Sequence, residues 1–287
     1  MKRSVISRVS IVGVGLIGGS LALALKKAHP RLRITGYDRP DVLKMAKARK
    51  AIDAGHMKLK DALADAELVI IALPVDRILK FIPRISRLIS NDVIVTDVGS
   101  VKREIVRVAE RYFPRGNFVG GHPVAGSEQE GVQAASAEMF RDRPYILTPR
   151  HGKPKNTAAQ LAKFLSPLGA RIAFLTPEQH DNILAPLSHL PQLTSVALMN
   201  VVGRRDSRSR NHLVLSGTGL MDTTRLAESS YEIWKGILRQ NRRNVLSALN
   251  LYIKELQSYR SALKERRSDL RREFTSAQRL RRKMRRR

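Results

Sequence analysis

A glycine-rich turn close to the amino terminus constrains the fold of this chain more than any other feature. The segment GVGLIG places Gly13, Gly15 and Gly18 after a short apolar run at residues 9–12 and at the start of a helical pattern at residues 16–25. In a strand–turn–helix unit the first glycine permits a tight turn, the second lets a pyrophosphate approach the backbone, and the third allows the helix to pack closely on the strand. The pyrophosphate then faces the positive end of the helix. The segment therefore predicts a dinucleotide-binding unit.

An acidic residue extends this pattern. Asp38 lies twenty residues after Gly18, at the end of a second predicted strand at residues 32–37. A carboxylate at this position accepts hydrogen bonds from the adenosine ribose and favours NAD, whereas Arg39 beside it could contact a 2′-phosphate, so NADP stays open. The expected cofactor-binding residues are Gly13, Gly15, Leu16, Ile17, Gly18, Asp38, Arg39, Pro74, Val75 and Ser100.

Strand and helix patterns alternate through the first 176 residues. Strands are predicted at residues 9–12, 32–37, 68–73, 93–98, 118–120, 145–148 and 171–175. Two of them, LVIIAL and VIVTDV, are almost entirely apolar, which is typical of parallel strands that are covered on both faces. The alternation predicts an α/β fold with a doubly wound, mostly parallel sheet of Rossmann type.

The strand signal stops after Pro177, and only helical patterns follow. We therefore predict a dinucleotide-binding domain over residues 1–176 and an all-helical domain over residues 177–270. The last segment, residues 271–287, is rich in arginine and is expected to be a basic, disordered tail.

Charge and composition narrow the class of protein. The 287 residues carry 53 basic and 25 acidic side chains, a formal net charge of +28, and no cysteine. The lack of cysteine excludes disulfides and thiolate metal sites. No run reaches the roughly 20 apolar residues of a membrane span, so no membrane contact is expected, and the chain is placed in the cytoplasm.

The positive charge suits the attraction of an anionic substrate. Nucleic-acid binding is not expected, because no nucleic-acid motif accompanies the charge. No spacing typical of metal ligands occurs either, so no metal site is predicted.

Two segments at strand ends carry side chains that suit catalysis. His122 stands between a glycine and a proline in GGHPVAGSEQEG, where a predicted strand passes into a loop. A histidine in such a place suits proton transfer better than packing. Ser100, in TDVGSVK, lies near the expected nicotinamide end of the crevice and could equally cap the next helix. Pro74 and Val75 also follow a strand, and they are expected to form part of the wall of the cofactor-binding crevice.

The helical part offers two more histidines and an arginine. His180 and His189 are nine residues apart, which places them about 180° apart on a straight helix. Only one of them can then face a ligand, unless Pro186 bends the helix. Arg225 presents a bidentate fork for a carboxylate. In so basic a chain, a single arginine is also compatible with an ordinary surface position.

Several motifs occur along the chain in a definite order. GVGLIGGS, TDVGSVK, GGHPVAGSEQEG, TPEQHD, SHLP and DTTR, with Trp234 after them, extend from about Val9 to about Asn244. This set resembles the prephenate/arogenate (cyclohexadienyl) dehydrogenase family. The resemblance implies oxidative decarboxylation of prephenate to 4-hydroxyphenylpyruvate, or of arogenate to tyrosine, with NAD or NADP in tyrosine biosynthesis. It also implies a dicarboxylate substrate and a homodimer formed through the helical domain.

The resemblance assigns roles to individual residues. It implies that His122 takes the proton of the ring hydroxyl and that Ser100 lies near that hydroxyl and the nicotinamide. Arg225 would hold a substrate carboxylate, Glu128 would pair with that arginine, and Trp234 would reach the site from the second subunit. The implied substrate-binding residues are Arg225, His189, Gln192, Glu128, Ser127 and Trp234.

Other readings stay open at this point. Gln192 stands where some relatives carry a second histidine, and Met221 where some carry a basic residue, so the choice between prephenate and arogenate is not decided. A β-hydroxyacid dehydrogenase shares this domain layout but needs a lysine base, and none lies near His189 in the sequence. A nucleic-acid-binding role would rest on the arginine-rich tail alone.

Overall fold

The computed structural model describes residues 6–126, 129–149, 155–206, 212–265 and 270–285. Its strands are β1 (Arg8–Val12), β2 (Arg33–Tyr37), β3 (Ala54–His56), β4 (Leu68–Ile71), β5 (Ile94–Asp97), β6 (Phe118–Pro123), β7 (Pro144–Thr148) and β8 (Arg171–Phe174). Within the described ranges they form an eight-stranded sheet in the order β3-β2-β1-β4-β5-β6-β7-β8. Neighbouring strands are parallel except β6 and β7, which are antiparallel.

The α-helices of the described ranges follow in chain order. They are α1 (Leu16–Ala28), α2 (Pro40–Ala48), α3 (Leu59–Leu63), α4 (Val75–Ser86), α5 (Arg103–Tyr112), α6 (Lys155–Leu165), α7 (Pro177–Leu184), α8 (Leu190–Asp206), α9 (Thr218–Thr224), α10 (Tyr231–Gln240), α11 (Arg242–Lys264) and α12 (Arg271–Arg285). A π turn, Ala185–His189, joins α7 to α8, and a 3₁₀ turn, Arg225–Glu228, follows α9. None of the helices described here is long and apolar enough to cross a membrane.

The glycine turn lies where the strand order reverses. β1 pairs with β2 on one side and with β4 on the other, so the chain builds outward to β3 and then returns to the centre of the sheet. Ligands of open α/β sheets bind beyond the carboxyl ends of the strands at such a point. The predicted doubly wound, mostly parallel sheet is thereby confirmed.

Side chains of the central strands alternate between two hydrophobic clusters, one on each face of the sheet. In β1, Ile11 belongs to one cluster and Val12 to the other, and Ile70 and Ile71 of β4 divide in the same way. A sheet that is covered by helices on both faces requires this alternation. The strand ends that carry the candidate residues therefore rest on a core packed from both sides.

Some local structure differs from the prediction. β3, α3 and α6 are absent from the sequence-based assignment, and β3 has only three residues, Ala-Gly-His, which is too short to show a period of two. β6 runs on to Pro123 rather than ending at Gly120, because β7 supplies an antiparallel partner. His122 consequently lies inside a strand, opposite Ile146, and not in the loop that follows it.

The chain also packs into compact units. Two compact units are present, Met1–Arg242 and Arg243–Arg287. Helices α7 to α10 belong to the first unit because they pack on the sheet domain, for example through the ion pair between Arg239 of α10 and Asp76 of α4. The predicted boundary at 176/177 marks the change from strands to helices and stays a prediction.

The expectation of a disordered tail at residues 271–287 is wrong for its described part. Arg271–Arg285 form helix α12. Arginine, lysine, leucine, methionine and glutamine are all good helix formers, and the segment has neither glycine nor proline. Composition alone suggested a solvated tail, whereas backbone propensity favours a helix.

Candidate active site

The glycine turn is shaped by close backbone approaches. Gly13 has a φ of +97°, and a Cβ there would lie 2.3 Å from the carbonyl oxygen of Ala72. A Cβ on Gly18 would lie 1.9 Å from the carbonyl oxygen of Gly13. At Gly15, in contrast, a Cβ would meet nothing within 4 Å. Gly13 and Gly18 thus fix the turn, and the open space at Gly15 is where a dinucleotide could approach the backbone.

Asp38 is tied to this turn. Its Oδ2 accepts a hydrogen bond from the Val14 amide at 2.7 Å, and its Oδ1 accepts one from the Arg39 amide at 2.8 Å. A carboxylate can accept about four hydrogen bonds, so capacity is left for ribose hydroxyls. The Arg39 guanidinium is exposed and lies 3.5 Å from the Asp41 carboxylate. These residues fit an NAD-type dinucleotide.

Other candidate cofactor residues lie around the same strand ends. Leu16 and Ile17 begin α1 and are half-buried, and the first turn of that helix has no acidic side chain to compete with a phosphate. Pro74 is exposed at the start of α4. Val75, however, is 3% exposed and packs into a hydrophobic cluster, so it supports the crevice from beneath.

Three side chains form a hydrogen-bonded chain at the end of β6. Nδ1 of His122 lies 2.8 Å from Nε2 of His180, and Nδ1 of His180 lies 2.8 Å from Oδ1 of Asp181. All three residues are buried, His122 being 6% exposed. Gly121 makes this position available, because a Cβ there would lie 2.6 Å from the carbonyl oxygen of Asp97 in β5.

Asp181 joins this hydrogen-bonded series of side chains to the start of α5. Its Oδ1 also accepts a hydrogen bond from the Lys102 amide at 2.7 Å, and its Oδ2 accepts one from the Arg103 amide at 3.0 Å. These amides are orphan donors at a helix amino terminus, where a carboxylate is favoured. The alternative that Ser100 caps this helix is wrong: Lys102 holds the cap position, and Asp181 from α7 supplies the acceptor. Ser100 is half-buried at the strand end.

The carboxylate sets the tautomers of both imidazoles. An ionised Asp181 can only accept, so Nδ1 of His180 donates to it and Nε2 of His180 must accept. Nδ1 of His122 then donates to that nitrogen, which leaves the lone pair of His122 on Nε2. Burial lowers the pKa of His122 well below its usual 6.5, and His180, Lys102 and His189 act in the same direction. His122 is therefore a neutral base at pH 7.

A buried ion pair lies beneath His122. Nζ of Lys102 donates to Oδ2 of Asp97 and, at 2.7 Å, to the carbonyl oxygen of Gly121. Asp97 also accepts hydrogen bonds from the amides of Gly99 and Gly121, at 2.8 and 3.1 Å. Both side chains are fully buried, and burial lowers the pKa of Lys102 while Asp97 opposes this shift. The pair fastens the ends of β5 and β6 together.

The π turn brings the second histidine to the same region. Pro186 has no N–H group and interrupts the helical ladder, and the π turn Ala185–His189 changes the rotation between His180 and His189. His189 lies edge-on to Trp234, with ring centroids 6.0 Å apart and planes at 82°, and its Nδ1 lies 3.2 Å from Nδ2 of Asn241. Burial lowers the pKa of His189 to about 4, and the Ser100 backbone opposes the shift. Both histidines therefore reach one site, which a straight helix would not allow.

The remaining candidates lie further along the helices. Gln192 is 3% exposed, and its Nε2 donates to the carbonyl oxygen of Leu226 at 2.8 Å. Arg225, the first residue of the 3₁₀ turn, is exposed. Trp234 contacts His189 of its own chain, and its approach to the site of a second subunit stays a prediction. Ser127 and Glu128 lie outside the described residues.

Comparison with known proteins identifies the family. A family model described as prephenate dehydrogenase, nucleotide-binding domain, matches residues 21–174, and a second, prephenate dehydrogenase, dimerization domain, matches residues 176–282. This chain belongs to the prephenate dehydrogenase family. Together the two matches cover most of its length and meet close to Pro177, where the strand signal ends.

Individual relatives agree with the family models. The chain is 34% identical to prephenate dehydrogenase of Bacillus subtilis over 260 residues, which is 90% of this chain and 70% of that protein. It is 32% identical to cyclohexadienyl dehydrogenase of Zymomonas mobilis over 262 residues, 91% of this chain and 89% of that protein. Prephenate dehydrogenase from A. aeolicus, solved in complex with hydroxyphenyl propionate and NAD⁺, superposes with a TM-score of 0.91 at 28% identity and covers 99% of this chain and 100% of that one.

Within this family fold, the sequence-based reading missed several polar residues of the site. Asp97, Lys102, Asp181 and Asn241 were not singled out, although the first three lie inside the motifs TDVGSVK and TPEQHD. Asn241 separates α10 from α11 and donates to the carbonyl oxygen of Asp181 at 2.7 Å as well as facing His189. For Asp97 and Lys102 a signal was available: charged residues stand at the end of an otherwise apolar strand, and buried charges are rarely without a partner.

Proposed function

We propose that this chain catalyses the NAD-dependent oxidative decarboxylation of prephenate to 4-hydroxyphenylpyruvate in tyrosine biosynthesis. The observation that carries the proposal is the buried chain His122–His180–Asp181 at the carboxyl ends of the strands, in the same sheet as the glycine turn. A neutral base placed beside a nicotinamide site suits the oxidation of a hydroxyl-bearing carbon.

The residues account for each part of the reaction. Bound NAD would supply the acceptor for the hydride that leaves the ring carbon bearing the hydroxyl. Nε2 of His122 takes the hydroxyl proton as the carbonyl forms. The ring carboxylate then leaves as carbon dioxide, the electrons of the broken bond make the ring aromatic, and the ring oxygen takes the proton back from His122. Prephenate and NAD⁺ thus give 4-hydroxyphenylpyruvate, carbon dioxide and NADH.

His180 and Asp181 act through His122 as positioning residues. They hold its lone pair on Nε2, and the Asp181 carboxylate favours the positive charge that arises when His122 takes a proton. Lys102 keeps Gly121, and hence His122, in place from below. This arrangement follows the logic of a base that is oriented by a second and a third group.

Substrate binding is assigned to groups around this base. Ser100 and His189 would contact the ring hydroxyl region, and His189, neutral at pH 7, would donate through Nε2 without adding charge. Arg225 would bind a carboxylate, because its planar fork matches that group. The other proposed substrate contacts are Glu128, Ser127, Gln192 and Trp234. The net charge of +28 would raise the encounter rate with an anionic substrate.

Cofactor binding is assigned to the glycine turn and Asp38. The backbone at Gly13, Gly15 and Gly18 would hold the pyrophosphate, with Leu16, Ile17 and Pro74 beside it. Asp38 would bind the ribose hydroxyls, and its negative charge disfavours a 2′-phosphate. Assembly as a homodimer through the helical domain and a location in the cytoplasm are part of the same proposal.

The first prediction is cofactor-dependent turnover. Prephenate with NAD should give NADH, followed by absorbance, with kcat/KM for NAD at least about tenfold above that for NADP because of Asp38. Asp38→Asn removes the negative charge and should reduce this preference. Lack of any reduced cofactor with prephenate, under conditions where the protein is folded, would refute the proposed function.

The second prediction concerns pH. Catalysis needs neutral His122, and its pKa is lowered well below 6.5 by burial and by neighbouring groups. The kcat/KM for prephenate should therefore stay level as the pH falls through 6.5 and decline only at lower pH. Substrate carboxylates titrate below this range and do not interfere. A decline governed by a pKa of 6.5 or higher would contradict the role of a buried, neutral base.

A further inference from the structure

A buried amide between α10 and α11 contacts two parts of the candidate site. Asn241 is 3% exposed, and its Nδ2 donates to the carbonyl oxygen of Asp181 at 2.7 Å. The same nitrogen lies 3.2 Å from Nδ1 of His189. Burying a polar side chain costs free energy unless its atoms find partners, so an asparagine at this junction indicates a specific role. Neither the proposed mechanism nor the proposed substrate contacts use it.

These contacts fix the orientation of the amide and the tautomer of the histidine. A backbone carbonyl oxygen can only accept, so the side-chain atom that faces Asp181 is the nitrogen of Asn241 and not its oxygen. The second hydrogen of this NH₂ group serves Nδ1 of His189, which must then be the ring nitrogen without a hydrogen. A neutral His189 therefore carries its hydrogen on Nε2, a buried atom that has no hydrogen-bond partner among the described residues.

A donor at this place suits the chemistry of the neighbouring base. His189 lies close enough to His122 to influence its charge, and the Ser100 backbone lies close to the ring of His189. The ring hydroxyl of the substrate has one hydrogen, which His122 accepts, so a further contact to that oxygen has to donate. A preorganised donor also stabilises the negative charge that the oxygen gains as its proton leaves. The other tautomer of His189 would direct a lone pair at the same oxygen and repel it.

We propose that Asn241 is a positioning residue that holds His189 in the tautomer whose Nε2–H donates to the substrate oxygen deprotonated by His122. This inference rests on the proposed function. Because Asn241 is bound to the Asp181 backbone, the donor and the side chains that orient the base share one anchor. The edge-on contact with Trp234, at 6.0 Å between ring centroids, also limits rotation of the His189 ring.

The tautomer can be measured directly on the full-length protein labelled with nitrogen-15 in histidine, by long-range proton–nitrogen correlation at pH 8. The signals of His189 are identified by their loss in His189→Gln. In the wild type, Nε2 should have the chemical shift of a protonated nitrogen and Nδ1 that of an unprotonated one. In Asn241→Asp a carboxylate, which can only accept, faces Nδ1, so the hydrogen should move to Nδ1. A hydrogen on Nδ1 in the wild type, or an unchanged tautomer in the variant, would overturn the inference.

The same variant should change the pH dependence of turnover, which a purely structural role would not do. A carboxylate close to a histidine raises its pKa by about 1–3, so the pKa of His189, about 4 in the wild type, should reach about 5–7. Protonated His189 still donates through Nε2, whereas the neutral form in this variant does not. The kcat of Asn241→Asp for prephenate should therefore fall at least about fivefold from pH 6 to pH 8, because a donor to a developing charge is lost, while that of the wild type stays level.

Other titratable groups near His189 would not imitate this profile. His180 and Asp181 of α7 act on the charge of His189, and His189 acts on His122 of β6. Burial lowers the pKa of both His122 and His180 from 6.5, and the wild type and the variant share all three groups. If the new carboxylate raised the pKa of His122 instead, turnover would fall toward low pH, which is the opposite sign.

A matched control makes the same change away from the site. Asn91→Asp alters an exposed turn before β5, and its pH profile should match that of the wild type within about twofold. If the kcat of Asn241→Asp is reduced by the same factor at pH 6 and pH 8, Asn241 is only structural and the inference is overturned. If the variant does not fold, as judged by circular dichroism, the tautomer of the wild type still decides. If the wild type oxidises no prephenate, the proposed function fails, and the nitrogen spectra show separately whether Asn241 sets the tautomer of His189.

Discussion

Replacing His122 by asparagine should lower kcat for prephenate oxidation by about 10²- to 10⁴-fold, the usual contribution of a positioned general base. Asparagine is close in size but cannot take a proton at neutral pH, so the hydroxyl would lose its acceptor as the hydride leaves. Binding of NAD, measured by fluorescence titration, should stay within about twofold, because the glycine turn and Asp38 are untouched.

A second histidine provides the control for this substitution. His56 lies in β3 at the edge of the sheet and is half-buried, so His56→Asn changes the same chemistry away from the proposed base. It should retain kcat within about twofold, as a substitution outside the site normally does. If His122→Asn remained as active as His56→Asn, His122 would not be the base.

Replacing Lys102 by methionine should lower the free energy of unfolding by about 3–5 kcal/mol, the cost of leaving one partner of a buried ion pair alone. Methionine fills a similar volume but leaves the Asp97 carboxylate in a fully buried position without its cation. The measurement is equilibrium unfolding in urea, followed by circular dichroism. The free energy is compared with that of the wild type at pH 7.

Two further variants separate loss of the ion pair from other effects. Adding Asp97→Asn to Lys102→Met removes the isolated charge and should recover at least about 1 kcal/mol, because paired residues are not additive. Lys80→Met, at an exposed position of α4, should change the stability by less than about 0.5 kcal/mol. If Lys102→Met behaved like Lys80→Met, the buried pair would not fasten the strand ends.

Sequence reasoning succeeded where one local pattern decides the structure. The apolar runs of β1, β4 and β5 are continuous because both faces of these strands are covered, and the turn at Gly13 has few alternatives to glycine at a φ of +97°. The doubly wound sheet and the place of the dinucleotide crevice follow from these features. His122 was singled out for the same reason, since a strand end among glycines is where a reactive side chain can approach a ligand, and its catalytic role stays a prediction.

Sequence reasoning failed where two segments that are distant along the chain create a contact together. His180 and Asp181 meet His122 and the start of α5 across the boundary between the sheet and the helices, and no local spacing encodes that contact. The relation of His180 to His189 depended on a π turn, which changes the angle that a regular helix predicts. The helix at Arg271–Arg285 was missed because its charge suggested a solvated tail, although its residues favour helix formation.

The central claim is that hydride transfer from prephenate is coupled to loss of the ring carboxylate in a site whose base is His122. The most direct test uses prephenate labelled with carbon-13 in the ring carboxylate and measures NADH and labelled carbon dioxide in the same reaction. The account predicts one molecule of labelled carbon dioxide for each NADH, with both rates reduced in parallel by His122→Asn. Formation of NADH without labelled carbon dioxide, or rates that His122→Asn leaves unchanged, would contradict it.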